Sequence, residues 1–284
     1  MSRSSPESDA SLGRGEENGH VAETDAIDER ISRLGIPFNE YGIDPYGISK
    51  TYLRWGMRLL HPLYRSYFKV ETYGIEHVPP RGRAMLVGNH SGGFALDAAM
   101  VLAAMFFSMD PPRLAQGMAD KFIYRLPVAS LWASRMGQMT GLPEHCVRLL
   151  EDERLLLVFP EGARGTAKLY GDRYTLVTFG TGFLRQALQT KTPIIPFGFL
   201  GGGEALPTIA NSYTLGKILG LPYVPITPYG LPFPLPTRMQ IRFGAPLSFE
   251  GTGSEEDAVL GAWVAEVKMP ANWLAAMRSS FQAN

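Results

Sequence analysis

Cysteine is almost missing from this chain, and its scarcity sets the first limits. One cysteine, Cys146, in 284 residues excludes an intrachain disulfide framework and fits a reducing compartment. Net charge is missing too: 27 Lys and Arg balance 27 Asp and Glu, which excludes the global positive field that gathers nucleic acid. Long apolar runs are also lacking. The longest, residues 98–109 between Asp97 and Asp110, falls short of the roughly 18 residues needed to cross a bilayer, so no transmembrane span is expected. The first 30 residues contain no apolar segment of signal-peptide type, and their Ser, Gly and acidic content predicts a disordered leader over residues 1–27. There is no P-loop lysine motif, no dinucleotide glycine fingerprint and no zinc-ligand spacing among the five scattered histidines, so neither a resident cofactor nor a metal is expected.

What is present suits one sizeable domain with an N-terminal attachment, since 45% of the residues are apolar. In residues 46–69, "YGISKTYLRWGMRLLHPLYRSYFK", Lys50, Arg54, Arg58, His61 and Arg65 recur three or four apart with aromatic and aliphatic residues between them. That pattern predicts a basic amphipathic helix kinked at Pro62, within an N-terminal membrane-interface element at residues 28–70. Trp55, Tyr64, Tyr67 and Phe68 are expected to enter a lipid surface there, with packing of the helix against the catalytic domain as the alternative. Over residues 71–284, the short apolar strands "AMLVG", "LLLVF", "PIIPFGF" and "MQIRFG" alternate with helical stretches. The expected fold class is α/β, a mostly parallel, mixed sheet flanked by helices. The proline-rich "LPYVPITPYGLPFPLPTR", residues 221–238, reads as an ordered apolar loop.

Chemistry concentrates at two strand ends. In "VGNHSGGFALDAAM" a strand gives way to Asn89, His90, Ser91 and the glycines Gly92 and Gly93, and Asp97 lies in the first turn of the next helix. A histidine titrates near neutrality and takes or returns a proton when a carboxylate orients it, and a Gly-Gly turn permits that approach. The Ser91-Gly92-Gly93 amides would face developing negative charge. The same segment also reads as a helix N-terminus with a hydrogen-bonded histidine, and by itself it supports both readings. In "LLLVFPEGARG" a second strand ends on Glu161, Gly162 and Arg164, where the guanidinium fork suits phosphate or carboxylate and an ion pair is the simpler alternative. Lys168 and Arg173, in "GTAKLYGDRY", are candidate auxiliary cations, with solvent-facing charge as the favoured alternative for each. The neighbours His145 and Cys146 are expected to be structural. In "LGGGEALP" the glycines permit either close approach of a ligand to the backbone or a simple turn.

Taken together, Asn89-His90 with Asp97, the block Phe159-Pro160-Glu161-Gly162-Ala163-Arg164 and the late Thr192-Pro193-Ile194-Ile195-Pro196 resemble the glycerolipid acyltransferases, over residues 73–247. The resemblance implies transfer of a fatty acyl group from acyl-CoA or acyl carrier protein, as co-substrate, to a hydroxyl of a glycerolipid acceptor. It implies His90 as general base and Asp97 as its orienting partner. Asn89, Gly92, Gly93, Glu161, Gly162 and Arg164 are the substrate-binding candidates. Partners would be the donor, the acceptor and the cytoplasmic side of a membrane surface, with peripheral attachment and no nucleic acid. Two departures bear on the acceptor. "HSGGFALD" has six residues between His and Asp where the family usually has four, similar to the monoacylglycerol-acyltransferase-like branch, and "MGQMTGLPEHC" lacks the arginine usual in the family's second block. Both a lyso-phospholipid and monoacylglycerol therefore stand as acceptor classes. A lipid esterase or thioesterase and a non-catalytic lipid-binding protein are the rival readings. Ser91 does not sit in the G-x-S-x-G elbow that a serine hydrolase requires.

Overall fold

The computed structural model describes residues 25–93, 95–230 and 232–268. In its first half the chain forms α1 (residues 25–32), α2 (Lys50–Pro62), β1 (Glu71–Tyr73), β2 (Ala84–Gly88), α3 (Leu96–Ser108), β3 (Ala115–Ala119), α4 (Pro127–Arg135), β4 (Met139–Thr140) and α5 (Pro143–Glu151). There follow β5 (Leu155–Val158), α6 (Ala163–Thr166), α7 (Gly182–Gln189), β6 (Ile194–Leu200), α8 (Gly202–Ala205), β7 (Ala210–Ser212), α9 (Tyr213–Leu219), β8 (Val224–Ile226), β9 (Gln240–Phe243) and α10 (Asp257–Lys268).

The main sheet has seven strands in the order β1-β9-β6-β2-β5-β3-β4, parallel at every pairing except β6 with β9, and β7 and β8 form a separate antiparallel pair with α9 between them in the chain. The central strands are continuous apolar runs because helices cover both faces of the sheet. Alternate side chains go to opposite sides. Ala84, Leu86, Leu155 and Leu157 pack with Met100, Ala104 and Met105 of α3, whereas Met85, Val87 and Leu156 pack with Leu149 of α5, Leu184 of α7 and Leu260 of α10. Proline at the first position of α4 and of α5 sets the helical φ at no hydrogen-bond cost.

Two expectations need correcting. A helix covers residues 25–32 with Ile27 and Ile31 buried, so order begins inside the stretch expected as leader, and residues 1–24 lie outside the described residues. The basic helix α2 is present and ends at Pro62, where the chain continues as a π-helical turn, Leu63–Tyr67, closed by Phe68 N–H donating to the Leu63 carbonyl at 2.9 Å. Tyr64 and Phe68, expected at a lipid surface, are instead core residues. The Tyr64 hydroxyl bonds Thr72 and Ser108 at 2.9 and 3.0 Å, and the Phe68 ring is fully buried. Of the aromatic residues expected at the interface, Trp55 remains exposed, beside Leu59. Leu53 and Met57 point into the domain, and Gly56 admits the Met136 side chain, which a Cβ would meet at 2.4 Å.

Candidate active site

The two motifs meet because β2 and β5 are adjacent and parallel, with Val87 opposite Val158. Both strands therefore release their following residues at one edge of the sheet, the usual position for a site in an open α/β fold. Asn89 fixes the exit of β2. Its side-chain amide donates to the Phe199 carbonyl at 3.0 Å and accepts from the Phe199 N–H at 2.7 Å, tying the loop to β6.

His90 follows, with 12% of its side chain exposed, and its Nδ1 lies 2.7 Å from Oδ2 of the fully buried Asp97. That same oxygen accepts the Ser91 N–H at 2.6 Å, and Oδ1 accepts the Ala98 N–H at 2.8 Å. A carboxylate held by backbone donors accepts and does not donate, so Nδ1 carries the proton and Nε2 is the basic nitrogen. The Phe159 ring stacks on the imidazole, centroids 4.1 Å apart and planes 14° from parallel, which limits its rotation. The Ser91 amide is thus committed to Asp97. This assigns it a different task from the charge-facing one expected of it.

Gly92 has φ +74°, and the segment it begins lies against the backbone of Gly202, whose carbonyl oxygen a Cβ on Gly92 would meet at 2.5 Å. The glycines of "LGGGEALP" therefore admit the Ser91-Gly92 loop. Gly92 and Gly93 line a cleft with Lys168, Arg173 and Leu206.

Glu161 is buried, and both of its oxygens are engaged. Oε1 accepts the His90 N–H at 3.0 Å; Oε2 accepts the Val177 N–H at 2.8 Å and lies 2.7 Å from Lys168 Nζ. Lys168, expected in solvent, is only 7% exposed and also donates to the His90 carbonyl at 3.0 Å. A lysine and a glutamate thus grip both backbone groups of His90 from one side. The local turn makes this possible. At Gly165 a Cβ would stand 2.5 Å from His90 Cβ and 2.8 Å from Glu161 Cβ, so α6 can press against the histidine only with glycine there. Lys168, an auxiliary-cation candidate by sequence whose favoured reading was solvent exposure, is thus a buried partner of the Glu161 carboxylate and the His90 carbonyl, and the local cue to that place was its position seven residues after Glu161, across a glycine-bearing turn.

Arg164 is exposed, as is Gly162, and among the described residues its guanidinium makes one long bond, from Nη2 to the Thr178 carbonyl at 3.4 Å, which leaves its other donors to face a ligand. Arg173 is held by Glu204 at 3.0 Å, with its guanidinium over the Tyr170 and Tyr174 rings at 3.8 and 4.5 Å. Burial pushes the Tyr223 phenol up to about 12 against the hydrogen bond from its hydroxyl to Thr166 Oγ1, at 2.5 Å, so it remains protonated at physiological pH. Among the described residues no group of three or more His, Cys, Asp or Glu is arranged to hold a metal ion, and no helix is long and apolar enough to cross a membrane.

Cys146 lies away from this site, its sulfur 3.2 Å from Met118 Sδ, while His145 bonds the Thr140 carbonyl at 3.1 Å. Burial pushes the thiol up to about 11. At pH 8 such a thiol is ionised to about one part in a thousand, whereas an unfolded cysteine near 8.5 is about a quarter ionised. Iodoacetamide is expected to label the native protein at least about a hundredfold more slowly than the protein in denaturant, and comparable rates would show the thiol to be accessible and ionised.

Residues 69–200 match the family model described as Acyltransferase. An uncharacterized protein of Mycobacterium tuberculosis is 35% identical over 217 residues, which are 73% of this chain and 60% of that relative. The chain thus spans about three fifths of the mycobacterial relative's length. The "DGAT1/2-independent enzyme synthesizing storage lipids" of Gallus gallus is 28% identical over 228 residues, 77% of this chain and 66% of that protein. Among solved structures, the 1-acyl-sn-glycerophosphate (LPA) acyltransferase PlsC of Thermotoga maritima superposes with a TM-score of 0.53 at 17% identity, covering 80% of this chain and 79% of the other, a likeness of fold.

Proposed function

We propose, for a chain that belongs to the glycerolipid acyltransferase family, that it transfers a fatty acyl group from acyl-CoA or acyl carrier protein to a hydroxyl of a glycerolipid. The observation that carries the reading is the His90–Asp97 pair, 2.7 Å apart at the end of β2 with Nε2 as the basic nitrogen. In this reaction His90 Nε2 takes the proton of the acceptor hydroxyl as its oxygen attacks the thioester carbonyl. The new C–O ester bond forms, the C–S bond breaks, and the imidazolium returns the proton to the departing thiolate. Asp97 holds the ring and balances its transient charge. Glu161 and Lys168 act as positioning residues through the backbone of His90.

The direct test is lipid mass spectrometry of the purified protein given one acyl-CoA and a panel of lyso-phospholipid, monoacylglycerol and diacylglycerol. A newly acylated glycerolipid supports transfer. Free fatty acid alone, formed from the thioester or from a lipid, marks a thioesterase or an esterase, and no product from any pair marks a binding protein.

Arg164 is the cation we assign to a substrate phosphate. A charge-assisted hydrogen bond contributes about 1.5 to 3 kcal/mol, so Arg164→Ala is expected to raise the Michaelis constant of the phosphate-bearing substrate about ten- to hundredfold, with poor rescue by lysine. Unchanged constants for both substrates would return Arg164 to a surface role. A single guanidinium is a thin site for a dianionic phosphomonoester, which favours a less charged acceptor such as monoacylglycerol. Competition assays decide this point: tenfold or greater preference for lysophosphatidate would require a second cation.

Attachment to a membrane surface belongs to the same proposal. Trp55 and Leu59 stand exposed on the basic helix α2. Binding to anionic vesicles is expected to weaken as salt rises, and salt-insensitive flotation would remove the electrostatic part.

A further inference from the structure

The chain's acidic residues avoid three segments. Residues 45–70, 121–143 and 205–249 contain no Asp or Glu, although the whole chain has 27, and they carry five, three and three Lys or Arg respectively. These segments meet in space: Tyr52 of α2 packs edge-on against Trp132 of α4 with centroids 5.3 Å apart, Tyr67 donates to the Pro234 carbonyl at 2.8 Å, and Leu126 lies 3.8 Å from where a Cβ on Gly220 would be.

The last segment contains the β7–α9–β8 unit. A helix on a globular surface buries one apolar face, but α9 buries only Gly216, whose Cβ would stand 2.6 Å from Tyr223 Cα. Tyr213, Leu215, Ile218 and Leu219 all face outward, Ile218 with 75% and Leu219 with 50% of its surface exposed. The unit is nonetheless anchored at the reaction site. Asn211 donates to the Ala167 carbonyl at 2.7 Å and Tyr223 bonds Thr166, so it is seated on the same α6 turn that presses Gly165 against His90.

We infer that α9 is a lipid-entering element, which sinks Ile218 and Leu219 into the membrane beside the cleft and holds the site against the surface that contains the acceptor. The inference rests on the proposed reaction for its purpose. A lipid surface is the occupant favoured by the lack of any carboxylate in the three segments together with their cations, Lys217 next to the exposed Ile218 in sequence and Lys121 and Arg125 in the segment whose Leu126 lies against Gly220, a combination that matches an anionic headgroup layer over hydrocarbon.

The test uses full-length protein carrying Ile218→Glu with Leu219→Glu, and Val259→Glu as a control at an exposed apolar position on α10. Binding is read by flotation with phosphatidylcholine vesicles containing phosphatidylserine. Transfer is read with an acceptor embedded in those vesicles and with a short-chain acceptor kept monomeric in water. The α9 variant is expected to lose at least about tenfold in vesicle affinity and in transfer to the embedded acceptor, while transfer to the monomeric acceptor stays within about twofold and the control behaves as wild type. Unchanged flotation overturns the inference. So does equal loss with both acceptors, which would place α9 in the reaction itself, and so does a change from dimer to monomer by light scattering at unchanged flotation, which would assign the face to a second copy. If the wild-type protein transfers to neither acceptor, the proposed reaction fails, and the flotation arm still decides the role of α9.

Discussion

Replacing His90 by alanine is expected to lower turnover by about a hundredfold to ten-thousandfold, the usual contribution of a positioned general base, while the fold persists. The fold should survive because the loop is held through atoms other than the ring: the His90 N–H by Glu161, the His90 carbonyl by Lys168 and the Asn89 amide by Phe199. Asp97→Asn is expected to be severe for a second reason. Oδ2 faces both His90 Nδ1 and the Ser91 N–H, so an asparagine that turns its NH2 to that place opposes the Ser91 N–H and favours the tautomer with the proton on Nε2, while one that keeps its oxygen there sets its NH2 against the Ala98 N–H. In both orientations the charge that balances the imidazolium is gone. Its defect should therefore lie in kcat more than in the Michaelis constant. Near-normal turnover by a His90→Ala protein with an unchanged circular dichroism spectrum would remove the mechanism, and a mild Asp97→Asn would show that the tautomer does not matter.

How much of this was readable before folding follows from what each element depends on. β2, β5 and β6 were legible because strands buried on both faces are uninterrupted apolar runs, and helix α3 was legible from its apolar length after Asp97. β3 reads "AQGMA", and a buried glutamine and a glycine break any apolar pattern. The strand exists because β5 pairs with Ala115, Gln116 and Gly117, a tertiary cause with no local signature. α9 was illegible for the opposite reason, since a helix with one buried residue has no apolar periodicity toward a core. The pairing of His90 with Asp97 was readable as chemistry and spacing. The stacking of Phe159 on the imidazole depends on β2 and β5 being neighbours, and the strand order appears in neither motif by itself.

Lys168 shows the same limit most sharply, and it carries the second large expected effect. In "GARGTAKLY" it reads as one more solvated charge, yet the α6 turn folds it back onto Glu161 at 2.7 Å with both side chains buried. Removing one member of a buried ion pair leaves an uncompensated charge and costs about 3 to 5 kcal/mol, so Lys168→Met is expected to destabilise the protein by that amount in urea unfolding. Neutralising both partners is expected to cost much less, because the desolvation penalty disappears with the charges. In Glu161→Gln with Lys168→Met, moreover, the glutamine oxygen can still accept a backbone N–H from His90 or Val177. A Lys168→Met penalty below about 1 kcal/mol would mean that solvent screens the pair. Activity then separates packing from positioning. The double variant should recover most of the lost stability while its turnover stays depressed, because the His90 carbonyl still lacks the ammonium donor and the catalytic ring is carried on that backbone. Full recovery of both would reduce Lys168 to a counter-charge for Glu161, whereas recovery of stability alone would establish that the grip on the His90 backbone is part of what keeps Nε2 in place.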